Sequence, residues 1–128
     1  MEINNESQIP IFMQVADALR DAIFTGAFGE DTQIPSTTEI SIAYRINPAT
    51  VLKGMNLLVE EQLIAKRRGV GMFVSIGARE RIKEMRYSEF SKNYIKPLVL
   101  EARKLELTDE QIAALIKKEM KTDDTKSE

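Results

Sequence analysis

Between Phe12 and Ile23, apolar residues recur at helical spacing (Phe12, Val15, Ala16, Leu19, Ala22, Ile23), with Asp17, Arg20 and Asp21 between them. That is the pattern of an amphipathic helix. Pro10 is placed to open it at the first position, where a missing N–H is no loss, and Gly26 is placed to stop it. After a loop carrying Gly29 and Pro35, Ser36-Thr37-Thr38-Glu39 reads as a capping box: the Ser36 hydroxyl accepts from the N–H of Glu39, whose carboxylate reaches back to the N–H of Ser36. Ile40, Ala43 and Tyr44 give the short helix that follows one apolar side, and it ends at Arg45-Ile46-Asn47. Asn47-Pro48 is the next start signal, Asn as N-cap and Pro at N1. Val51, Leu52, Met55, Leu58 and Val59 form the expected buried stripe of a helix over 48–62. Gly54 inside it costs about 1 kcal/mol relative to Ala, which close packing against a neighbouring helix would explain. Two helices joined by so short a turn are a helix-turn-helix candidate.

Two short β-prone runs follow, Leu63 to Lys66 and Met72 to Ser75, around Arg67-Arg68-Gly69-Val70-Gly71. They predict a hairpin, and directly after a helix-turn-helix a hairpin reads as a wing. From about Ala78 the chain becomes charge-rich and helical, with Ile82, Met85, Phe90, Tyr94, Leu98, Ala102 and Leu105 as a stripe. Pro97 lies inside this stretch and is expected to kink or break it. Thr108-Asp109-Glu110-Gln111 is a second capping box, opening a helix with Ile112, Leu115, Ile116 and Met120 on one face. The fold class expected is mainly α with a small β-hairpin. A winged helix-turn-helix over 8–76 precedes a short helical dimerisation segment over 78–120, and 121–128 is expected to be a disordered tail.

Composition narrows the chemistry. Neither histidine nor cysteine occurs among the 128 residues, so the commonest general base, the commonest metal ligand and any disulfide are absent. No nucleophile–base pair or metal cluster can be assembled, and the chain is expected to be no enzyme, to bind no metal and to need no cofactor. No apolar run approaches the roughly 18 residues of a membrane span, and the polar start Met1-Glu2-Ile3-Asn4-Asn5-Glu6 resembles no signal peptide; a cytoplasmic location is expected. The net charge of −2 says nothing about nucleic acid, but its distribution does. From Met1 to Glu39 seven acids face the single base Arg20, whereas from Ile40 to Ile76 Arg45, Lys53, Lys66, Arg67 and Arg68 face only Glu60 and Glu61. A phosphate-binding surface needs only such a local excess.

The order helix, helix-turn-helix, hairpin resembles the GntR family of bacterial regulators over about Gln8 to Ser75. Pro10-Ile11-Phe12-x-Gln14-Val15 is similar to the family's opening motif, and Ile23-x-x-Gly26-x-Phe28 to the end of its first helix. Ile34-Pro35-Ser36-x-x-Glu39-Ile40 resembles the signature before the second helix, and Asn47-Pro48-Ala49-Thr50-Val51 the start of the recognition helix. Leu58-x-x-Glu61-x-Leu63-Ile64-x-x-Arg67-x-Gly69-x-Gly71-x-Phe73-Val74 is similar to its end and the wing. The short tail and the Asn-Pro pair look like the YtrA-type subfamily, in which the C-terminal helices mainly dimerise. Three positions depart from the family pattern: Thr38 replaces a common DNA-contacting Arg, Asn47-Pro48 a common Ser-Arg, and Glu30-Asp31 a Pro-Gly in the first loop. Binding weaker per half-site than the family norm is expected.

The resemblance implies a sequence-specific regulator, by family default a repressor. It would bind an inverted-repeat operator in double-stranded DNA as a homodimer, with helix 48–62 in the major groove and wing 66–72 at the minor groove. Asn47, which also caps the helix, would contact DNA at its start, and Ala49, Thr50 and Lys53, with Asn56 beside them, would face base edges. Ser36, Thr37 and Thr38 would offer a phosphate a helix N-terminus. Arg45 would clamp a phosphate from the turn. Lys66, Arg67 and Arg68 flank the wing tip, where Gly69 and Gly71 permit close backbone approach; Arg67 has a second reading, as a structural residue at the hairpin base. Dimerisation would fall to Ile82, Met85, Phe90, Tyr94, Leu98, Leu105, Ile112, Leu115 and Ile116. Tyr87, Phe90 and Tyr94 could also line an effector pocket between dimer helices, or serve simply as core, so a small-molecule effector is left open. The alternative is a winged helix used for protein–protein contact, against which the Lys66-Arg67-Arg68 cluster argues.

Overall fold

In the computed structural model, which describes residues 1–126, the first helix, α1 (Ile11–Thr25), begins one residue after Pro10. Pro10 is thus the N-cap rather than the first helical residue. Its carbonyl still accepts the first bonds, from the N–H groups of Met13 and Gln14 at 3.1 Å. A proline side chain cannot cap, and the Gln14 amide serves the entry segment instead, accepting from the Asn4 N–H at 2.7 Å and donating to the Asn4 and Ile9 carbonyls at 2.9 Å. Gly26 closes the helix with φ +88°, the left-handed conformation that glycine adopts at least cost.

The helix-turn-helix forms where the two start signals lie. Helix α2 (Thr37–Tyr44) has the expected capping box, with Glu39 N to Ser36 Oγ at 3.0 Å and Ser36 N to Glu39 Oε1 at 3.2 Å. Helix α3 (Pro48–Glu60) is capped by the Asn47 side chain, which accepts from Ala49 N at 2.9 Å. Between them Arg45 turns the chain at φ +53°, ψ +49°. The wing is the antiparallel pair β1 (Ile64–Arg67) and β2 (Gly71–Val74), in register Ile64 with Val74 and Arg67 with Gly71. Residues 31–34 lie along the free edge of β2, through Asp31 N to Val74 O, Val74 N to Thr32 O and Ile34 N to Met72 O at 2.8–2.9 Å.

One apolar core ties these elements together: Val15, Leu19 and Ile23 of α1, Ile40 of α2, Val51, Met55 and Leu58 of α3, and Ile64 and Val74 of the wing. Gly54 is buried as well, and a Cβ there would lie 2.7 Å from the Phe12 carbonyl oxygen. The α1–α3 packing therefore does require a residue without a side chain. The core continues into α4 (Ala78–Phe90), whose Ala78 and Ile82 are fully buried in it. Contacts divide the chain into a unit Met1–Arg86 and a unit Tyr87–Glu128, so the first unit extends about one helix past the expected boundary at 76. Ile82, expected on a dimer stripe, is 1% exposed within the first unit and is closed to a partner; an apolar residue at the start of a tail helix serves the nearer core.

In the second unit Pro97 does not break the helix. A π-helical turn, Ser91–Ile95, precedes α5 (Lys96–Lys104), and Lys96 N–H bonds the Ser91 carbonyl five residues back. Widening the turn by one residue shifts the hydrogen-bond register just ahead of the proline, so the helix runs on through a residue that donates no N–H. Glu106 at φ +57° and the bond from Leu107 N to Ala102 O at 3.0 Å then reverse the chain into α6 (Asp109–Lys126). The expected Thr108 box is present, with reciprocal bonds between Thr108 and Gln111 at 2.9 and 3.2 Å. Helix α6 continues through residues 121–126, where a disordered tail was expected, and the Thr122 hydroxyl satisfies the Lys118 carbonyl at 3.0 Å. Ser127 and Glu128 lie outside the described residues. No helix among the described residues is long and apolar enough to cross a membrane.

Candidate nucleic-acid interface

The start of α2, the outer side of α3 and the wing enclose a groove of about 610 Å³. Ser36, Thr37 and Thr38 line it from α2, Asn56 from α3, and Lys66 and Gly71 from the wing. Three segments far apart in sequence are thus brought to one surface, as a winged helix requires.

Within that surface the predicted residues divide by how free they are. Thr38 is exposed in the first turn of α2. The Ser36 oxygen already caps the helix, yet its hydroxyl proton is free to donate. The Thr37 hydroxyl instead donates to Met55 Sδ at 3.3 Å and holds α2 against α3. Asn47 is committed as a cap, while Ala49 is exposed and Thr50 half-buried on the first turn of α3. Lys53 is exposed, but its Nζ sits 4.0 Å from the centre of the Phe12 ring. A cation over a ring face is attracted by the quadrupole, which draws Lys53 to the α1 flank of the helix rather than straight outward.

The wing separates its two arginines. Arg67 lies 3.8 Å over the Phe73 ring and pairs with Asp31, which is the structural alternative for that residue. Asp31 and Glu30 stand where the family has Pro-Gly, and both have work here. Asp31 takes the left-handed turn conformation at φ +62°, which Asp tolerates better than most residues, and the Glu30 carboxylate accepts from Gly77 N at 2.7 Å. The loop keeps its turn and fastens the wing's base. Gly69 (φ +78°) and Gly71 (φ +143°) shape the tip, where the Gln33 amide donates to the Val70 carbonyl at 2.9 Å. Gln33 was not singled out from sequence, because a lone Gln in a loop carries no pattern.

Arg45, Lys66 and Arg68 are exposed and, among the described residues, hold no ion pair or ring contact. By contrast Arg20 forks onto Glu61 at 2.7 and 2.8 Å, and Arg86 reaches Asp21 at 3.2 Å. Acids therefore take Arg20, Arg67 and Arg86, whereas Arg45 in the turn before α3 and Lys66 and Arg68 in the wing hold no acid among the described residues. A second surprise lies on α3 itself. Leu52 and Val59, expected in the buried stripe, are 49% and 41% exposed, and the buried positions go to Val51, Gly54, Met55 and Leu58.

Of the expected dimerisation residues, Phe90, Tyr94, Leu98, Leu105, Leu115 and Ile116 are exposed in the second unit, Ile112 is half-buried there, and Met85 is half-buried in the first. Phe90 and Tyr94 stack with ring centres 5.8 Å apart. Leu98, Leu105, Ile112, Leu115 and Ile116 line an apolar groove between α5 and α6, floored by Ala102.

Comparison with known proteins agrees with this architecture. The HTH-type transcriptional repressor YtrA of Bacillus subtilis is 26% identical over 102 residues, 80% of this chain and 78% of that protein. The crystal structure of a GntR-family protein from Bacteroides thetaiotaomicron superposes with a TM-score of 0.76 at 26% identity, covering 88% of this chain and 98% of that one. AraR(DBD), crystallised in complex with operator ORE1, matches with a TM-score of 0.52 and 26% identity over 58% of this chain and 90% of that one. The chain spans only about a third of the length of the first curated relatives it matches, 38% and 31% of them. Residues 12–74 match the bacterial regulatory proteins of the gntR family. Through that winged helix, with YtrA-type regulators among its relatives, the chain belongs to the GntR family.

Proposed function

We propose that the chain is a transcriptional regulator of the cytoplasm that binds an inverted-repeat operator as a homodimer and acts as a repressor. The observation that carries this reading is the set of exposed cations Arg45, Lys66 and Arg68, in the turn before the recognition helix and in the wing, which hold no ion pair among the described residues. Backbone phosphates neutralise such charges, and the helix N-terminus at Ser36–Thr38 supplies further N–H groups to them. The AraR domain bound to an operator supports the same use of this scaffold. One winged helix spans too few base pairs for specificity, and the apolar α5–α6 surface offers the means to join two.

Selection from random duplexes tests the proposal. An inverted repeat is expected to emerge, and with three phosphate contacts per half-site the log–log slope of affinity against salt is expected near −5 (roughly −0.9 per contact). A flat salt dependence, or no selected duplex, would favour a protein-binding winged helix instead.

Arg45 offers a second test, because its two roles oppose each other. It is held at φ +53°, a conformation that costs a residue with a Cβ about 1 kcal/mol or more. Arg45→Gly is expected to raise unfolding stability by roughly 0.5–1 kcal/mol, after allowing for glycine's larger entropy loss on folding. The same change is expected to weaken all duplexes alike and to flatten the salt slope by about 1 per half-site. Chemical denaturation and a salt titration read the two effects separately. Unchanged DNA affinity would remove Arg45 from the interface.

A further inference from the structure

The recognition helix has an outer face that phosphate binding does not use. Ala49, Leu52 and Asn56 follow at i, i+3 and i+7, which places them on one side of α3, and all three are exposed. Leu52 does nothing for the core at 49% exposure, and Val51 and Met55 beside it fill that role. The cation of the same turn, Lys53, is held at the flank by Phe12. What the middle of the helix turns outward is therefore a methyl, an isobutyl group and a carboxamide. Bare cations lie on both sides of it, Arg45 in the preceding turn and Lys66 and Arg68 in the wing. The occupant that fits is a polyanion carrying apolar groups between its charges. The major groove of a duplex is such a surface. Thymine presents its C5-methyl there and adenine presents N6 and N7, which a carboxamide matches with one acceptor and one donor; a G·C pair offers no methyl.

We propose that Leu52 and Asn56 are specificity-determining residues that select A·T pairs at the centre of each half-site. Leu52 packs on a thymine methyl, and Asn56 bonds adenine through both atoms of its amide. The proposal rests on the reading of the chain as a duplex-DNA binder, and its test separates the two.

The full chain is first used to select duplexes. Thymines at the half-site centre are then replaced one at a time by deoxyuridine, which deletes the methyl and leaves every hydrogen-bonding group in place. One such replacement is expected to weaken binding roughly fourfold, the worth of one buried methyl-sized group. Leu52→Ala is expected to weaken the parent duplex by at least as much and to be indifferent to that replacement. Asn56→Ala is expected to cost about tenfold or more and to relax the preference for adenine at one position. Both side chains are exposed, so neither change opens the core. A G·C centre in the selected sites, or a Leu52→Ala variant that keeps the full deoxyuridine penalty, overturns the proposal while DNA binding stands. Should Leu52→Ala alter sedimentation instead, a second copy of the chain covers this face and the proposal also falls. A chain that selects no duplex overturns the reading beneath it.

Discussion

A chain ended at Arg86 is expected to fold, to sediment as a monomer, and to bind its operator about 10²–10⁴-fold more weakly than the full chain. Folding is expected because the winged helix has its own core, closed by α4 residues that precede the cut: Ala78 and Ile82 are buried with Val15, Leu58 and Leu63. Polar contacts fix the same segment, with Arg81 Nη1 donating to the Gln62 carbonyl at 3.0 Å and Arg79 Nε to the Phe24 carbonyl at 3.0 Å. The monomeric state follows from what is removed. Phe90, Tyr94, Leu98, Leu105, Leu115 and Ile116 are exposed together in the lost unit, and their burial against a second copy would offset the cost of association at about 25 cal/mol per Å². The loss of affinity needs no lost DNA contact, because joining two half-site readers makes the second binding event intramolecular. The position of the cut matters. Ending at Ile76, where sequence alone puts the domain boundary, strips Ile82 from the core and is expected to cost about 2–5 kcal/mol, as large core truncations do. Sedimentation, thermal melts and operator titration of the two shortened chains give the three readouts. A stable dimer at Arg86, or a monomeric full chain at micromolar concentration, would remove dimerisation from the tail.

That contrast between Ile76 and Arg86 shows what the sequence could and could not reveal. Start and stop signals act within a few residues, so the Ser36 box, the Asn47 cap, the Gly26 stop and the Thr108 box were all legible. The side of a helix that is buried depends on what packs against it. Val51, Leu52, Met55, Leu58 and Val59 make a plausible stripe, but α1 lies so close that Gly54 faces it, and the stripe turns until Leu52 and Val59 are outside. Contacts at long sequence separation were equally hidden. Nothing local in Glu30-Asp31 announces that one acid will pair with Arg67 and the other will hold Gly77. Nothing in Phe12 shows that it will take Lys53. The interface was therefore legible as a set of residue types, and its division into free and committed side chains was not. Pro97 failed differently: the general rule predicts disruption, and a single π turn ahead of it absorbs the conflict.

Gly54→Val is expected to destabilise the winged helix by roughly 3 kcal/mol or more, and Gly54→Ala by about 1–2. The alanine change would be stabilising by about 1 kcal/mol on an exposed helix, since glycine is the poorer helix former. Here the added Cβ meets the Phe12 carbonyl oxygen at 2.7 Å and Val15 Cβ and Cγ1 at 3.1 Å. The first of these atoms belongs to the backbone of α1 and the others to a side chain with no exposure, so none can swing away. Relief requires α1 and α3 to move apart, and overfilling a packed interior costs about 1–3 kcal/mol, which outweighs the propensity gain. Valine adds two further carbons at the same contact and a β-branch within a helix. Small domains have only about 5–15 kcal/mol in hand, so the loss is large. Val15→Ala removes one of the three clashing atoms, and paired with Gly54→Ala it is expected to cost less than the sum of the two, by about 0.5 kcal/mol or more. Urea midpoints of the five chains, the parent included, decide the matter. A Gly54→Ala midpoint above that of the parent would mean that helix propensity governs this position and that α1 and α3 tolerate a wider spacing.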